Sequence, residues 1–220
     1  MNFKRGTYPN SSIVRYSYHS RYKILNKLFE SKKSVLDVGC GFGHLARIFS
    51  ATSTYVGIDP RSEVIEYCKE EYESVFVDSF FPSDQLTEKY CLVIALTVLD
   101  EVADKGKFLN ELKLSLKVEG DLIVTVRNTN CWLHRKNSVV SQQGEVVDDL
   151  SYFDYKSLFK EHGLNSEDFI LPRPWITSLD VNGVKNFFAT LHDKVVNRND
   201  RNYTSGFLLS NMDRKNNLAT

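Results

Sequence analysis

Between residues 34 and 128, five short runs dense in β-branched side chains alternate with segments of helical period, and this alternation narrows the fold more than any other feature. The runs fall at residues 34–38, 54–59, 74–78, 92–96 and 121–126. Such density is how strands read when both faces of a sheet are covered. Between them, Leu45, Ile48 and Phe49 repeat at helical spacing, as do Val64, Ile65 and Cys68 after Asp59-Pro60. Phe108, Leu109, Leu112 and Leu116 do the same, and Glu119-Gly120 is expected to end that helix. Crossovers between parallel strands are right-handed, so helices should cover both sheet faces.

An apolar helix face at Ile24, Leu25, Leu28 and Phe29 precedes this region. After Asn128 the regularity weakens. A helix is expected over residues 155–162, stopped by Gly163, then a sixth strand at Phe169-Ile170-Leu171. Residues 182–196 read as a helix with an apolar stripe at Val184, Phe187, Phe188 and Leu191, and Gly206-Phe207-Leu208-Leu209 supplies a final strand. The sequence thus predicts an α/β, doubly wound, mostly parallel seven-stranded sheet. Residues 1–30 form an arm and helix, and 31–220 one domain.

Composition removes several function classes. The 220 residues hold 28 Lys+Arg against 28 Asp+Glu, a balance that argues against a general polyanion binder and makes nucleic acid an unlikely partner. The longest apolar run, at residues 90–96, is far short of the roughly 20 residues a membrane-crossing helix needs. Lys4 and Arg5 lead into Tyr8-Pro9-Asn10 rather than an apolar stretch, so no signal peptide is expected. Cys40, Cys68, Cys91 and Cys131 are scattered without metal-site spacing, which predicts no metal and reduced thiols in a cytoplasmic protein.

Chemistry concentrates in Val35-Leu36-Asp37-Val38-Gly39-Cys40-Gly41-Phe42-Gly43, a strand that runs through closely spaced glycines into a helix. Glycine there permits unusual backbone angles and lets a ligand approach the main chain. Asp59 ends the next strand, where a carboxylate can accept hydrogen bonds from both hydroxyls of a ribose. Asp37 would sit badly beside a pyrophosphate but well beside an ammonium group. His44 also breaks the GxGxxG spacing of dinucleotide sites. Both points favour a nucleoside with an amino-acid tail, such as S-adenosylmethionine, over NAD.

Over residues 20–163 the chain resembles the class I S-adenosylmethionine-dependent methyltransferases, in particular the small-molecule branch. Residues 37–43 look like the family's cofactor loop, with Asp37, Gly39, Cys40, Gly41 and Gly43, and Val56-Gly57-Ile58-Asp59 like its ribose-binding strand. Val77-Asp78-Ser79-Phe80 matches its adenine-edge segment, so the resemblance implies that Asp78 accepts from the adenine amino group with Ser79 or Phe80 beside the ring. It implies a Rossmann-like fold, with Leu96 and Thr97 along the cofactor's methionine portion. Where many small-molecule members carry a Glu-His pair this chain has Asp100-Glu101, so no catalytic base is assigned.

The implied activity is in-line methyl transfer to a small metabolite or glycan precursor. Acceptor-site elements are expected within residues 129–205, and Tyr18, His19, Arg127, Asn128, His134 and Tyr152 are the candidate acceptor contacts. A noncatalytic, cofactor-binding regulatory domain and an NAD-dependent oxidoreductase are the rival readings.

Overall fold

A computed structural model describes residues 32–49, 53–127, 139–140, 146–147, 150–169 and 204–211. The expected helices at residues 21–30 and 182–196 lie outside these. In chain order the elements are β1 (Ser34–Val38), α1 (Ala46–Phe49), β2 (Thr54–Asp59), α2 (Ser62–Glu71), β3 (Val75–Asp78) and β4 (Tyr90–Leu96). A 3-10 turn (Leu99–Glu101), α3 (Lys105–Leu114) and β5 (Leu116–Arg127) follow, then the short β6 (Val139–Val140) and β7 (Val146–Val147), α4 (Tyr152–Glu161), β8 (Leu164–Phe169) and β9 (Thr204–Asn211).

Seven strands form one sheet in the order β3-β2-β1-β4-β5-β9-β8, while β6 and β7 pair with each other. The first five run parallel, and β9 enters antiparallel to both β5 and β8. β1 is central: Leu36 lies opposite Val56 on one side and Val93 on the other. Because successive strand residues point to opposite faces, β1 feeds two cores. Leu36 and Val38 join Val93, Val124, Leu109, Leu112, Tyr155 and Phe159, whereas Val35 joins Leu92, Ile94, Leu45, Phe49 and Ile65. Helices α3 and α4 therefore cover one face and α1 and α2 the other.

Several element boundaries differ from expectation. Helix α3 stops at Leu114, and Leu116 instead opens β5 opposite Tyr90. Ser115 accounts for the stop, since its hydroxyl donates to the Glu111 carbonyl at 3.1 Å and offers the chain an exit from the helix. Helix α4 starts earlier than 155 because Ser151 and Asp154 make a reciprocal capping box at its amino end. Its other end turns at Gly163, with φ +68°, and β8 begins immediately, so the strand occupies 164–169 rather than 169–171. Asn165-Ser166-Glu167-Asp168 carry no apolar run because β8 is an edge strand, where polar side chains are tolerated.

The antiparallel addition is anchored by aromatic packing. Phe207 of β9 is fully buried, stacks on Tyr152 at 5.6 Å and meets Phe159 edge-on at 5.0 Å. Replacing it with Ala leaves a cavity between sheet and α4 and is expected to cost about 3–5 kcal/mol in urea unfolding. A loss below about 1 kcal/mol would contradict this packing.

Candidate functional site

The site follows from strand order. The chain leaves β1 toward β2 on one side and returns from β3 to β4 on the other, so a crevice opens beyond the carboxyl ends of β1 and β4. Beside that crevice, the loop after β1 is clipped to the end of β2. The N–H groups of Gly39 and Cys40 both donate to the Ile58 carbonyl, at 2.8 and 3.1 Å, and the Gly41 N–H donates to Asp59 Oδ2 at 3.0 Å. Gly39 holds φ +71°, and a Cβ on it would come within 2.4 Å of Val98 Cγ2. Glycine is required there both for the angle and for the close approach of the loop to β4's exit.

A cavity of about 280 Å³ opens at this point. Gly39, Asp59, Pro60 and Arg61 form one part of its wall, and Ser79, Phe80 and Phe81 after β3 form another. Leu96, Thr97 and Val98 after β4, with Glu101 and Phe108, complete it. Thr97 has φ +57°, an unusual backbone for a β-branched residue. Its N–H donates to the Thr125 carbonyl at 2.9 Å and to Thr125 Oγ1 at 3.0 Å, which holds the β4 exit against β5.

Asp59 is 2% exposed and stands where β2 ends. Pro60 has no N–H to offer, so the next donor along the chain is Arg61, whose N–H reaches Asp59 Oδ1 at 3.1 Å. The Arg61 guanidinium also turns back onto the same carboxylate, Nε to Oδ1 at 2.8 Å and Nη2 to Oδ2 at 2.9 Å.

Asp37 lies deeper. It is 3% exposed, and its Oδ2 accepts from the Tyr55 hydroxyl at 2.5 Å. Burial pushes its carboxyl up to about 7, opposed by the Tyr55 hydrogen bond and reinforced by the nearby Asp59 charge. Cys40 and Cys68 are buried on either side of the Gly41 carbonyl, to which their thiols donate at 3.6 and 3.3 Å. The Cys68 contact and burial push the Cys40 thiol up, so it stays protonated.

The fold that carries this site recurs among known proteins. The family described as "Methyltransferase domain" matches residues 13–168, well over half of the chain. The chain belongs to the class I S-adenosylmethionine-dependent methyltransferases. Among relatives, a ubiquinone biosynthesis O-methyltransferase of Rhodopseudomonas palustris is 31% identical over 106 residues, 44% of this chain and 40% of that protein. Its namesake from a Bradyrhizobium strain is 29% identical over 140 residues, 59% of this chain and 53% of that protein. The chain thus spans about half or less of the length of these relatives.

Solved structures share the fold at lower identity. An O-methyltransferase from a polyketide synthase of Brevibacillus brevis, in complex with S-adenosylhomocysteine, gives a TM-score of 0.60 at 16% identity, covering 90% of this chain and 73% of that one. An S-adenosylmethionine-dependent methyltransferase from Archaeoglobus fulgidus gives 0.59 at 14%, covering 89% and 93%. The family match decides against the oxidoreductase reading of the glycine loop.

Within this methyltransferase scaffold the predicted residues separate into groups. Gly39, Asp59, Ser79, Leu96 and Thr97 line the cavity together. Cys40, Gly41 and Gly43 shape the loop from behind; a Cβ on Gly43 would meet Tyr72 and Cys68 at 2.9 and 3.1 Å. Asp78 is exposed at the end of β3, paired in register with Asp59, and is not part of the cavity wall.

Tyr152, expected as an acceptor contact, lies away from the cavity wall. It is buried in the core, with its ring on Phe207 and its hydroxyl donating to Asp168, because α4 begins early enough to place it on the helix's apolar face. Tyr18, His19, Asn128 and His134 lie outside the described residues. Arg127 ends β5, opposite Thr204 of β9. Among the described residues no group of three or more His, Cys, Asp or Glu is placed to hold a metal ion.

Sequence reasoning missed Arg61, Phe81, Val98 and Phe108 as lining residues, and considered Glu101 without giving it a role. Arg61 had a readable signal: an Asp followed two residues later by Arg, across a proline, before a helix. Phe81 and Phe108 had none, since their edge-to-face contact at 5.5 Å joins segments far apart in the chain.

The Asp37 shift makes stability depend on pH. Its carboxyl is raised in the fold from 3.8 to about 7, so the stabilisation is full below about pH 4 and is lost as the pH rises through about 7. Urea unfolding of the wild type and of Asp37→Asn should therefore diverge between pH 4 and pH 8. The variant gains on the wild type by on the order of 2–4 kcal/mol over that window, at about 1.4 kcal/mol per unit. A constant difference across the range would contradict the raised carboxyl.

Proposed function

We propose that the chain is an S-adenosylmethionine-dependent methyltransferase acting in line on a small metabolite or glycan precursor. The observation that carries the reading is Asp59: a nearly buried carboxylate fixed by backbone donors at the cavity wall, with its two oxygens engaged by a two-point donor. A vicinal diol presents two donors to one carboxylate in the same way, so the residues fit a ribose. When bound, the cofactor supplies a methyl group on a positively charged sulfur.

The chain's own task is placement, since holding the reactants in line is worth effective molarities of up to about 10⁵–10⁸ M in favourable cases. Asp59 grips the sugar, and the glycine loop leaves room for the amino-acid end. Asp37 stands behind that loop as a buried acid that an ammonium group would draw into its charged form. Phe80, half exposed on the cavity wall, offers an adenine ring a flat face. Leu96 and Thr97 face the methionine portion.

Of the two lining carboxylates, Asp59 is engaged by four donors and Glu101 is the one placed to take a proton from an acceptor hydroxyl, which an alcohol requires and a neutral amine does not. The acceptor class is supported by the relatives, named for ubiquinone biosynthesis and for a polyketide synthase. Arg127, Asn128, Tyr18, His19 and His134 remain candidate acceptor contacts, with further acceptor-site elements in 129–205. A cytoplasmic location is part of the same proposal, supported by the unpaired cysteine spacing.

Calorimetry with S-adenosylhomocysteine tests the reading. Asp59→Asn, which cannot accept at both atoms, should bind at least about tenfold more weakly than the wild type, as befits loss of a charged hydrogen bond. Equal affinity of the two forms would reject the assignment of Asp59 to the sugar.

A further inference from the structure

We propose that Arg61 is a built-in competitor for the sugar-binding carboxylate, so that the cofactor enters this site by exchange rather than by simple addition. The inference rests on the assignment of Asp59 to the ribose and adds to it a residue that regulates occupancy. An ionised carboxylate offers about four acceptor positions. At Asp59 all four are filled: Oδ2 accepts from the Gly41 N–H and from Arg61 Nη2, and Oδ1 accepts from the Arg61 N–H and from Arg61 Nε. A diol that donates to both oxygens must therefore evict two donors.

Two of the four are backbone groups fixed by the loop and by the turn through Pro60. The other two belong to one guanidinium, and they are the pair that can leave. The backbone donors already fix Asp59, so its placement survives their departure. The Arg61 side chain is 43% exposed against 2% for Asp59, so it can swing into water at the cavity mouth while the carboxylate stays.

Position 61 is also the N-cap of α2, where Ser, Asp or Asn would satisfy a free helix N–H. Arg61 makes no such cap, and its side chain turns toward Asp59 instead. The two-point fork is the stronger form of carboxylate pairing, and it shields the carboxylate until a ligand offers two matched donors in return.

Exchange and addition differ in what they predict for salt. A partly exposed ion pair weakens as ionic strength rises, whereas hydroxyl donors to the same carboxylate are much less affected. S-adenosylhomocysteine carries no net charge and serves as the probe. Its affinity for the wild type should rise between about 20 mM and about 500 mM salt as the Arg61 pair is screened.

Arg61→Met cannot donate, and should bind the same ligand about fivefold more tightly than the wild type at low salt, with no rise on adding salt. Arg61→Lys, a single-point partner, should fall between them. A 2′-deoxy analogue, which cannot supply both donors, should change less than twofold between wild type and Arg61→Met. Thermal melts show whether each variant is folded.

Unchanged or weaker binding of S-adenosylhomocysteine by folded Arg61→Met, with the wild type binding normally, would overturn the exchange while leaving the sugar assignment intact. Absence of binding by wild type and variant at every salt concentration would overturn both.

Discussion

The clip between the β1 loop and the end of β2 is the constraint on which the site depends. Three consecutive N–H groups, from Gly39, Cys40 and Gly41, are spent on β2: two on the Ile58 carbonyl and one on the Asp59 carboxylate. That arrangement fixes the loop's height above the sheet and aims Asp59 along the crevice. It is possible only because Gly39 and Gly41 take positive φ and because Gly39 has no Cβ to strike Val98. Parallel pairing of β1 with β2 sets the distance, since Asp37 and Val38 lie directly opposite Gly57 and Ile58.

From that clip the site's two acids acquire different characters although they sit on neighbouring strands. Asp59 is nearly buried but supplied with four donors, whereas Asp37 has the Tyr55 hydroxyl and little water, so its carboxyl is pushed toward neutrality. The environment, rather than the residue type, separates the roles. An acid poised near pH 7 behind the loop can change charge as the cavity fills, while an acid already saturated with donors can only exchange them.

Much of the fold was legible because it rests on local signals. The five parallel strands and the helices between them announce themselves through β-branched density and helical period, and Asp59 and the glycines through their place at strand ends. The failures are equally physical. Leu116 continued the helical period of α3, but Ser115 turned the chain out one residue earlier. β8 was expected at 169–171, on the apolar residues, and lies at 164–169 because an edge strand need not be apolar on its outer side. Tyr152 was listed as a candidate acceptor contact from its polar hydroxyl; the capping box one residue before it starts α4 early and its ring packs in the core. Tyr55 as the partner of Asp37, and Arg61 as the partner of Asp59, depend on side-chain direction, which spacing alone does not encode.

In the proposed reading, Asp59 holds the cofactor's sugar and Arg61 leaves to let it. A crystal structure with S-adenosylhomocysteine bound measures this most directly. Both ribose hydroxyls should lie within hydrogen-bond distance of Asp59, with the Gly41 N–H still on Oδ2 and the Arg61 guanidinium turned away. A nucleoside bound elsewhere, or one seated in the cavity with Arg61 still forked onto Asp59, would contradict it.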